Sequence, residues 1–158
     1  MIIKTGLGQD SHQFEKISGK DLVLAGVKFD YPFGLNGNSD ADVVFHSITN
    51  SISSITGKNI LGDVADQLAK KGKKDSSKYL QIALEDLGDW KINHIAVALE
   101  CAKPKISNHV EAIKESIANI CKINVSDVGI TATSGEGLTS FGRGEGIQAI
   151  TIITVSKS

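Results

Sequence analysis

The chain has 158 residues, 41% of them apolar and 22% charged; this suffices for a sizeable core in a single domain, 1–158, and is too apolar for a disordered chain. A net charge of −1, from 17 basic and 18 acidic residues, leaves no electrostatic footprint for nucleic acid or an anionic membrane. No stretch approaches the ~20 apolar residues of a membrane span, the N-terminus lacks a signal-peptide core, and Cys101 and Cys121 form no CxxC pair, so the expectation is a cytoplasmic protein with buried, reduced thiols.

Ile2 to Leu7 predicts a short strand running into Gly8-Gln9-Asp10-Ser11-His12. Leu22 to Phe29 is almost continuously apolar and predicts a second strand buried on both faces. Tyr31 to Asn38 is rich in turn residues and delivers the chain to Ser39. Ser39, with Asp42 three residues later and an apolar run beyond, resembles a capping box. It predicts a helix from Asp40 to about Thr56, stopped by Gly57. The N-terminus of that helix offers unpaired N–H groups suited to an anion such as phosphate, and Asp42 and His46 lie four apart on one face.

Asn59 to Lys74 has no clear period, and its basic run, Lys70-Lys71-Gly72-Lys73-Lys74, reads as a solvated loop. Ser76 caps a predicted helix with an apolar stripe of Leu80, Ala83, Leu84 and Leu87, ended by Gly88. Ile92 to Cys101 alternates as a strand does, until Lys103-Pro104-Lys105 breaks it. Asn108 and Glu111 open a helix with Val110, Ile113, Ile117 and Ile120 inward. Val125 to Thr133 and Ile147 to Val155 predict the last strands, separated by a glycine-rich loop from Gly135 to Gly146. Strands and helices intermix, so the fold class is α+β: a mixed β-sheet packed against helices in ferredoxin-like layers. The last strand has β-branched residues on both faces, and a chain this small covers one; burial of part of the sheet by another subunit follows.

Asp10 and His12 are two apart and project to the same side of an extended backbone. With His46 they make a set of two imidazoles and one carboxylate, which leaves an open position as catalytic zinc sites do. A hydrogen-bonded core histidine and a chance D-x-H pair are the plainer alternative, and a non-haem iron site is a third. Ala132-Thr133-Ser134-Gly135-Glu136-Gly137 ends a strand with two hydroxyls, a turn and a carboxylate. Such groups hold phosphate oxygens and a bridging Mg²⁺, or simply form a polar turn. Gly142-Arg143-Gly144-Glu145-Gly146 sets a charge pair in tight backbone, or an ordinary surface ion pair. No Ser-His-Asp or Cys-His arrangement and no P-loop stands in the chain, which disfavours covalent catalysis.

In this order, Gly6-x-Gly8-x-Asp10-x-His12, Ser39-Asp40-Ala41-Asp42…His46, Leu61-Gly62-Asp63, Pro104-Lys105, Thr133…Glu136 and Gly142-Arg143-Gly144-Glu145-Gly146 resemble the 2-C-methyl-D-erythritol 2,4-cyclodiphosphate synthase family of the non-mevalonate isoprenoid pathway. The resemblance covers essentially the whole chain. It implies a homotrimer with active sites between neighbouring subunits. Within them the 2-phosphate of 4-diphosphocytidyl-2-C-methyl-D-erythritol 2-phosphate attacks its own β-phosphorus and releases CMP. By position, Asp10, His12 and His46 would bind Zn²⁺, one per subunit, and Glu136 a Mg²⁺ or Mn²⁺ across the diphosphate. Asn38 and Ser134 fall on catalytic positions. Cys101, Lys105 and Ile106 fall on the cytidine pocket, Arg143 near the trimer axis, and Ser11, Ser39, Asp75, Thr133, Gly135 and Ser140 on further substrate contacts.

Three departures from the family pattern stand out. Asn38 replaces a His, so it can donate a hydrogen bond but carry no proton. The loop that reaches over the nucleotide is shortened and lysine-rich between Asp63 and Asp75. Thr133-Ser134-Gly135-Glu136-Gly137 keeps the hydroxyls and carboxylate of the usual motif but loses a Lys. A diverged, non-catalytic trimer that binds nucleotide or isoprenoid diphosphates is the alternative these departures motivate.

Overall fold

The computed structural model describes all residues, 1–158. Its elements are β1 (Ile2–Gln13), β2 (Leu22–Leu24), β3 (Val27–Phe29), α1 (Val43–Thr56), α2 (Asp63–Lys70), α3 (Ser76–Asp86), β4 (Lys91–Glu100), α4 (Val110–Cys121), β5 (Val128–Thr133) and β6 (Gly146–Lys157). Four strands form one sheet in the order β1-β6-β4-β5, with β4 and β5 parallel and the other neighbours antiparallel. Helix α1 packs on β1 and β6, α3 on α1, and α4 on β5. This is the expected α+β arrangement, a mixed sheet with helices on one face. A cluster of 30 buried apolar residues fills the space between, and the aliphatic side chains Ile48, Ile52, Leu80, Ile95, Leu99, Ile113 and Ile117 dominate it.

The other face of the sheet has no helix. Leu7 of β1 pairs with Ile152 of β6, which pairs with Ala96 of β4, and Gln9, Ile150 and Ala98 form the next row. Ile3, Leu7, Ile150 and Ile152 are large apolar side chains between 38% and 63% exposed there. The expectation of a sheet left half-covered by its own chain is met.

Glycine spacing sets where α1 can lie. Even-numbered residues of β1 face that helix, and a Cβ on Gly6 or Gly8 would collide with the carbonyl oxygens of Ser51 and Ser47. With no side chains at those two positions, helix backbone rests on strand backbone. The next two residues on the same face are Asp10 and His12, carried directly toward the N-terminal end of α1. Buried Ser47, Thr49 and Ser51 return their hydroxyl protons to helix carbonyls 2.7–2.9 Å away, so small polar residues fit the contact without orphaned groups.

Several local expectations need correction. Leu22 to Phe29 is two short strands joined at Ala25-Gly26, both at positive φ (52° and 72°), and it buries Leu22, Leu24 and Phe29 while Lys28 is exposed. Helix α1 begins at Val43, and its cap is Asp42, not Ser39. The Asp42 carboxylate accepts from the N–H groups of Val44 and Phe45 at 3.2 and 3.1 Å, and from those of Ala25 and Gly26 at 2.8 and 2.7 Å. Those donors are spent and the cap is buried, so the α1 N-terminus is no phosphate cradle. Asp42 therefore holds the hairpin, while His46 turns to β1.

The aperiodic stretch 59–74 contains α2. Leu61, Ala65 and Leu68, spaced i, i+4, i+7, pack on the core, diluted in sequence by aspartates and lysines. Asp75, not Ser76, caps α3. Cys101 and Cys121 are buried free thiols, and burial pushes them up to about 11 and about 12 respectively.

Candidate metal and substrate site

The predicted triad converges. The Asp10 Oδ2 atom lies 3.0 Å from His46 Nδ1 and 3.3 Å from His12 Nε2. One ligand atom from each residue falls within 4.8 Å of the others. Burial alone would raise the Asp10 carboxyl, but hydrogen bonds from His12 and His46 and the nearby positive charge outweigh it and hold it below its usual range. His12 moves the opposite way, raised chiefly by its hydrogen bond to Asp10 against the effect of burial.

The donor set fits a divalent metal. The Nε2 atom of His46 is 2.7 Å from Ser76 Oγ, and Ser76 gives its hydroxyl proton to Asp40. His46 must therefore donate at Nε2, while its Nδ1, 3.0 Å from an Asp10 carboxylate oxygen, shares a proton with that oxygen until a cation takes the proton's place. Two acceptors at that distance require a proton or a cation between them. Two imidazoles and one carboxylate, with cavity on the remaining side, form a three-ligand set with an open position that could hold a divalent cation.

The triad opens into a cavity of about 220 Å³, lined also by Asn38, Ser39, Leu61, Gly62, Ala65, Asp66, Ala69 and Tyr79. Helix α2 is its outer wall. Adjoining it through Asn38, Asp66 and Ala69 is a second concavity of about 500 Å³, bordered by Gly37, Lys70 and Lys74. Two lysines of the basic run, exposed to solvent as expected, stand beside Asn38. Lys20 donates to the carbonyls of Gly37 and Ser39 at 3.3 and 2.9 Å and fixes the turn that carries Asn38. The larger concavity of about 760 Å³ between the ends of α3 and α4 holds Leu84, Trp90 and Ile120 and lies apart from the triad.

The remaining predicted residues gather elsewhere. Cys101 N–H donates to the Thr133 carbonyl at 2.9 Å, and Ala102 N–H to that of Phe141 at 3.3 Å, which joins the 101–106 loop to the glycine-rich loop. The side chains of Cys101 and Ile106 point into the core, while Lys105 is exposed. Thr133, Ser134 and Glu136 are exposed on the turn after β5, with Gly135 and Glu136 at φ 81° and 54°. Arg143 reaches Ser140 at 3.2 Å and Glu145 at 3.5 Å, a half-exposed ion pair of little energetic weight. Ser11 and Ser140 share the rim of a small concavity at the end of β1. Asp75 is occupied as the cap of α3, bonded to Ser77 N–H at 2.9 Å.

Asp10 and Ala132 belong to one row across the sheet, Asp10-Ala149-Leu99-Ala132, at opposite edges. Three strand spacings put the two groups roughly 14 Å apart. The candidate metal ligands thus stand at the β1 edge, and the hydroxyls of Thr133 and Ser134 and the carboxylate of Glu136 at the β5 edge. Asp40, Ser76, Tyr79 and the α2 residues escaped the sequence reading. The sequence does mark Asp40, as a second aspartate two before the cap, while the capping role expected of Ser76 belongs to Asp75.

An α+β chain whose Asp10, His12 and His46 could hold a metal ion beside a cavity has the arrangement of an enzyme active site. The chain belongs to the YgbB family, whose sequence model matches residues 3–156. It is 46% identical over 157 residues to the 2-C-methyl-D-erythritol 2,4-cyclodiphosphate synthase of Chlamydia felis (strain Fe/C-56), covering 98% of this chain and 89% of the relative. The synthase of Chlamydia muridarum (strain MoPn / Nigg) is similar to the same degree, 46% over 157 residues, with 98% and 88% covered. Among solved structures, IspF of Plasmodium falciparum in complex with CDP superposes with a TM-score of 0.83 at 26% identity, over 99% of this chain and 97% of that one. The bifunctional IspDF of Campylobacter jejuni gives 0.89 at 27% identity over 99% of this chain, which spans 43% of that longer protein.

Proposed function

We propose that this chain converts 4-diphosphocytidyl-2-C-methyl-D-erythritol 2-phosphate to 2-C-methyl-D-erythritol 2,4-cyclodiphosphate and CMP in the non-mevalonate isoprenoid pathway. The observation that carries the reading is the convergence of Asp10, His12 and His46 in a chain 46% identical to named synthases. Relatives bearing that name over 98% of the chain weigh against the non-catalytic trimer.

In the reaction an oxygen of the 2-phosphate bonds to the β-phosphorus, the bond from that phosphorus to the CMP oxygen breaks, and CMP leaves with the electron pair. Nucleophile and electrophile are parts of one molecule, so the protein needs neither a nucleophile nor a covalent intermediate. Its task is to fold the substrate until the groups meet, worth up to ~7–11 kcal/mol. Zn²⁺ on the triad, with Mg²⁺ or Mn²⁺ at Glu136, would supply charge to offset that on the phosphate oxygens. Asn38 donates from its amide to a phosphate oxygen, Ser39 stands beside it, and the hydroxyls of Thr133 and Ser134 support the transferring phosphoryl group. Lys105 and the backbone of residues 101–106 hold the cytidine.

The separation of these two groups argues for a cyclic homotrimer in which the β1 edge of one subunit meets the β5 edge of the next. Contacts between unlike patches of identical chains close into rings, and the exposed apolar sheet face supplies the buried centre. Arg143 would then lie near the axis. No helix is long and apolar enough to cross a membrane, in keeping with a cytoplasmic enzyme acting on a soluble nucleotide.

The test is to incubate the purified protein with the substrate and Mg²⁺, follow CMP by chromatography, and measure bound zinc. We expect CMP, one zinc per chain, and loss of both in His46→Ala. Absence of CMP, or full activity in a metal-free preparation, would overturn the reading.

A further inference from the structure

We infer that Asp40 and Ser76, from outside the metal-ligand set, form a relay that selects the tautomer of His46 and so presents Nδ1 to the metal. The inference rests on the metal reading above. Four contacts define it. Asp40 N–H donates to the Lys74 carbonyl at 2.9 Å, and Ser76 N–H donates to Asp40 Oδ2 at 3.1 Å. The Ser76 hydroxyl donates to Asp40 Oδ1, and His46 Nε2 lies 2.7 Å from Ser76 Oγ. Ser76 is wholly buried and His46 nearly so, so water does not substitute for any partner.

Proton counting fixes the direction. A carboxylate only accepts, and a serine hydroxyl has one proton. Asp40 takes that proton, so Ser76 can offer His46 nothing but a lone pair. His46 answers with an N–H at Nε2, so Nδ1 is the nitrogen whose electron pair a cation beside Asp10 can take. Without the relay both tautomers compete, and in the Nδ1–H form the ring cannot ligate through that atom. The relay also fixes the ring plane, since Ser76 sits at the first position of α3, where its backbone N–H lacks an intrahelical partner and Asp40 supplies one. Asp75 caps the same helix and keeps Ser76 in place. Tyr79, one turn further along α3, bounds the ring at a centroid distance of 6.0 Å. Asp40 and Ser76 are positioning residues, since neither faces the substrate cavity in the way the triad does.

Partners of this kind change metal affinity by roughly 10–100-fold when removed. Three measurements test the relay. Zinc affinity is read by competition with a chromophoric chelator for the parent chain, Ser76→Ala and Asp40→Asn, each checked for its native circular dichroism. Ser76→Ala removes the acceptor at Nε2. Asp40→Asn can donate to Ser76 Oγ and free the hydroxyl proton for His46, reversing the chain toward the Nδ1–H form. Both should bind zinc at least about tenfold more weakly. Nitrogen-15 NMR of the metal-free parent should find His46 protonated at Nε2, independently of whether either variant folds. Zinc affinities within about twofold of the parent, or a parent protonated at Nδ1 alone, would overturn the relay and leave the metal site standing. A parent chain that takes up no zinc would overturn both.

Discussion

Asp42 ties three things with one side chain: the start of α1, the Ala25-Gly26 turn, and the approach of the hairpin to the helix. Burial pushes its carboxyl up from 3.8 to about 6, against the pull of the N–H groups of Gly26, Phe45 and Ala25. A carboxyl raised in this way contributes stability that is complete below its unfolded value and is lost as pH rises through about 6. Asp42→Asn keeps one acceptor but turns an NH₂ toward backbone N–H groups, at a cost of about 1–3 kcal/mol. Its deficit against the parent in urea unfolding should be greater near pH 4.5 than near pH 7, by up to roughly 3 kcal/mol. Equal deficits would mean that the native carboxyl stays ionised throughout. At this scale the sequence is legible where chemistry demands a residue type and opaque where a residue has two possible partners. Asp10, His12 and His46 could be named because few groups ligate metals. Ser39, Asp40 and Asp42 are interchangeable as caps on paper, and only the hairpin approaching from residues 22–29 decides which of them is buried.

Among elements, β1 and α1 are one unit. A single methyl at Gly8 meets the carbonyl of Ser47 and the N–H of Ser51, neither of which can swing away as a side chain would. Gly8→Ala should cost about 1–3 kcal/mol and move His46 off Asp10, so zinc affinity should fall together with thermal stability. A variant that loses stability but keeps zinc would show that the helix shifts as a rigid body without disturbing the triad. Helix α2 was invisible to periodicity because Leu61, Ala65 and Leu68 are only three apolar positions in a stretch of aspartate and lysine. Lys70 and Lys74 border the concavity next to Asn38, where the family pattern would have a longer loop. Exposed cations there act on a phosphate mainly through screened attraction. Lys70→Ala with Lys74→Ala should therefore raise KM several-fold, on the order of 1 kcal/mol, with kcat little changed, and the parent's KM should rise with salt more than the variant's. A fall in kcat alone would place these lysines in the transition state rather than in capture.

For the whole molecule, the odd feature is that the sheet is finished on one face and bare on the other. Ile3, Leu7, Ile150 and Ile152 stand open to solvent, while Ile147, Ile153 and Val155 on the reverse side of the same sheet are fully buried. Alternation along β6 with apolar residues on both sides made this readable in advance, since a strand exposed to water on one face normally alternates with polar residues. What no one-chain reading of periodicity supplies is the geometry of the proposed intersubunit site, in which the β1 and β5 edges become neighbours through a second copy. The two facts make one prediction. Ile152→Glu places a charge in the middle of the bare face, next to Leu7 and Ala96 and far in sequence from every proposed ligand. In an isolated chain that position is 46% exposed, so the substitution should leave circular dichroism and zinc binding intact. In an assembly it buries an unpaired carboxylate at a cost of several kcal/mol. Light scattering should therefore move from three times the 16.7 kDa chain mass to a single one. CMP formation should fall by roughly two orders of magnitude or more, because the hydroxyls and Glu136 no longer stand opposite the triad. Should Ile152→Glu become monomeric and stay fully active, each chain would have to complete its own site, and the pairing of β1 and β5 edges across subunits would be wrong.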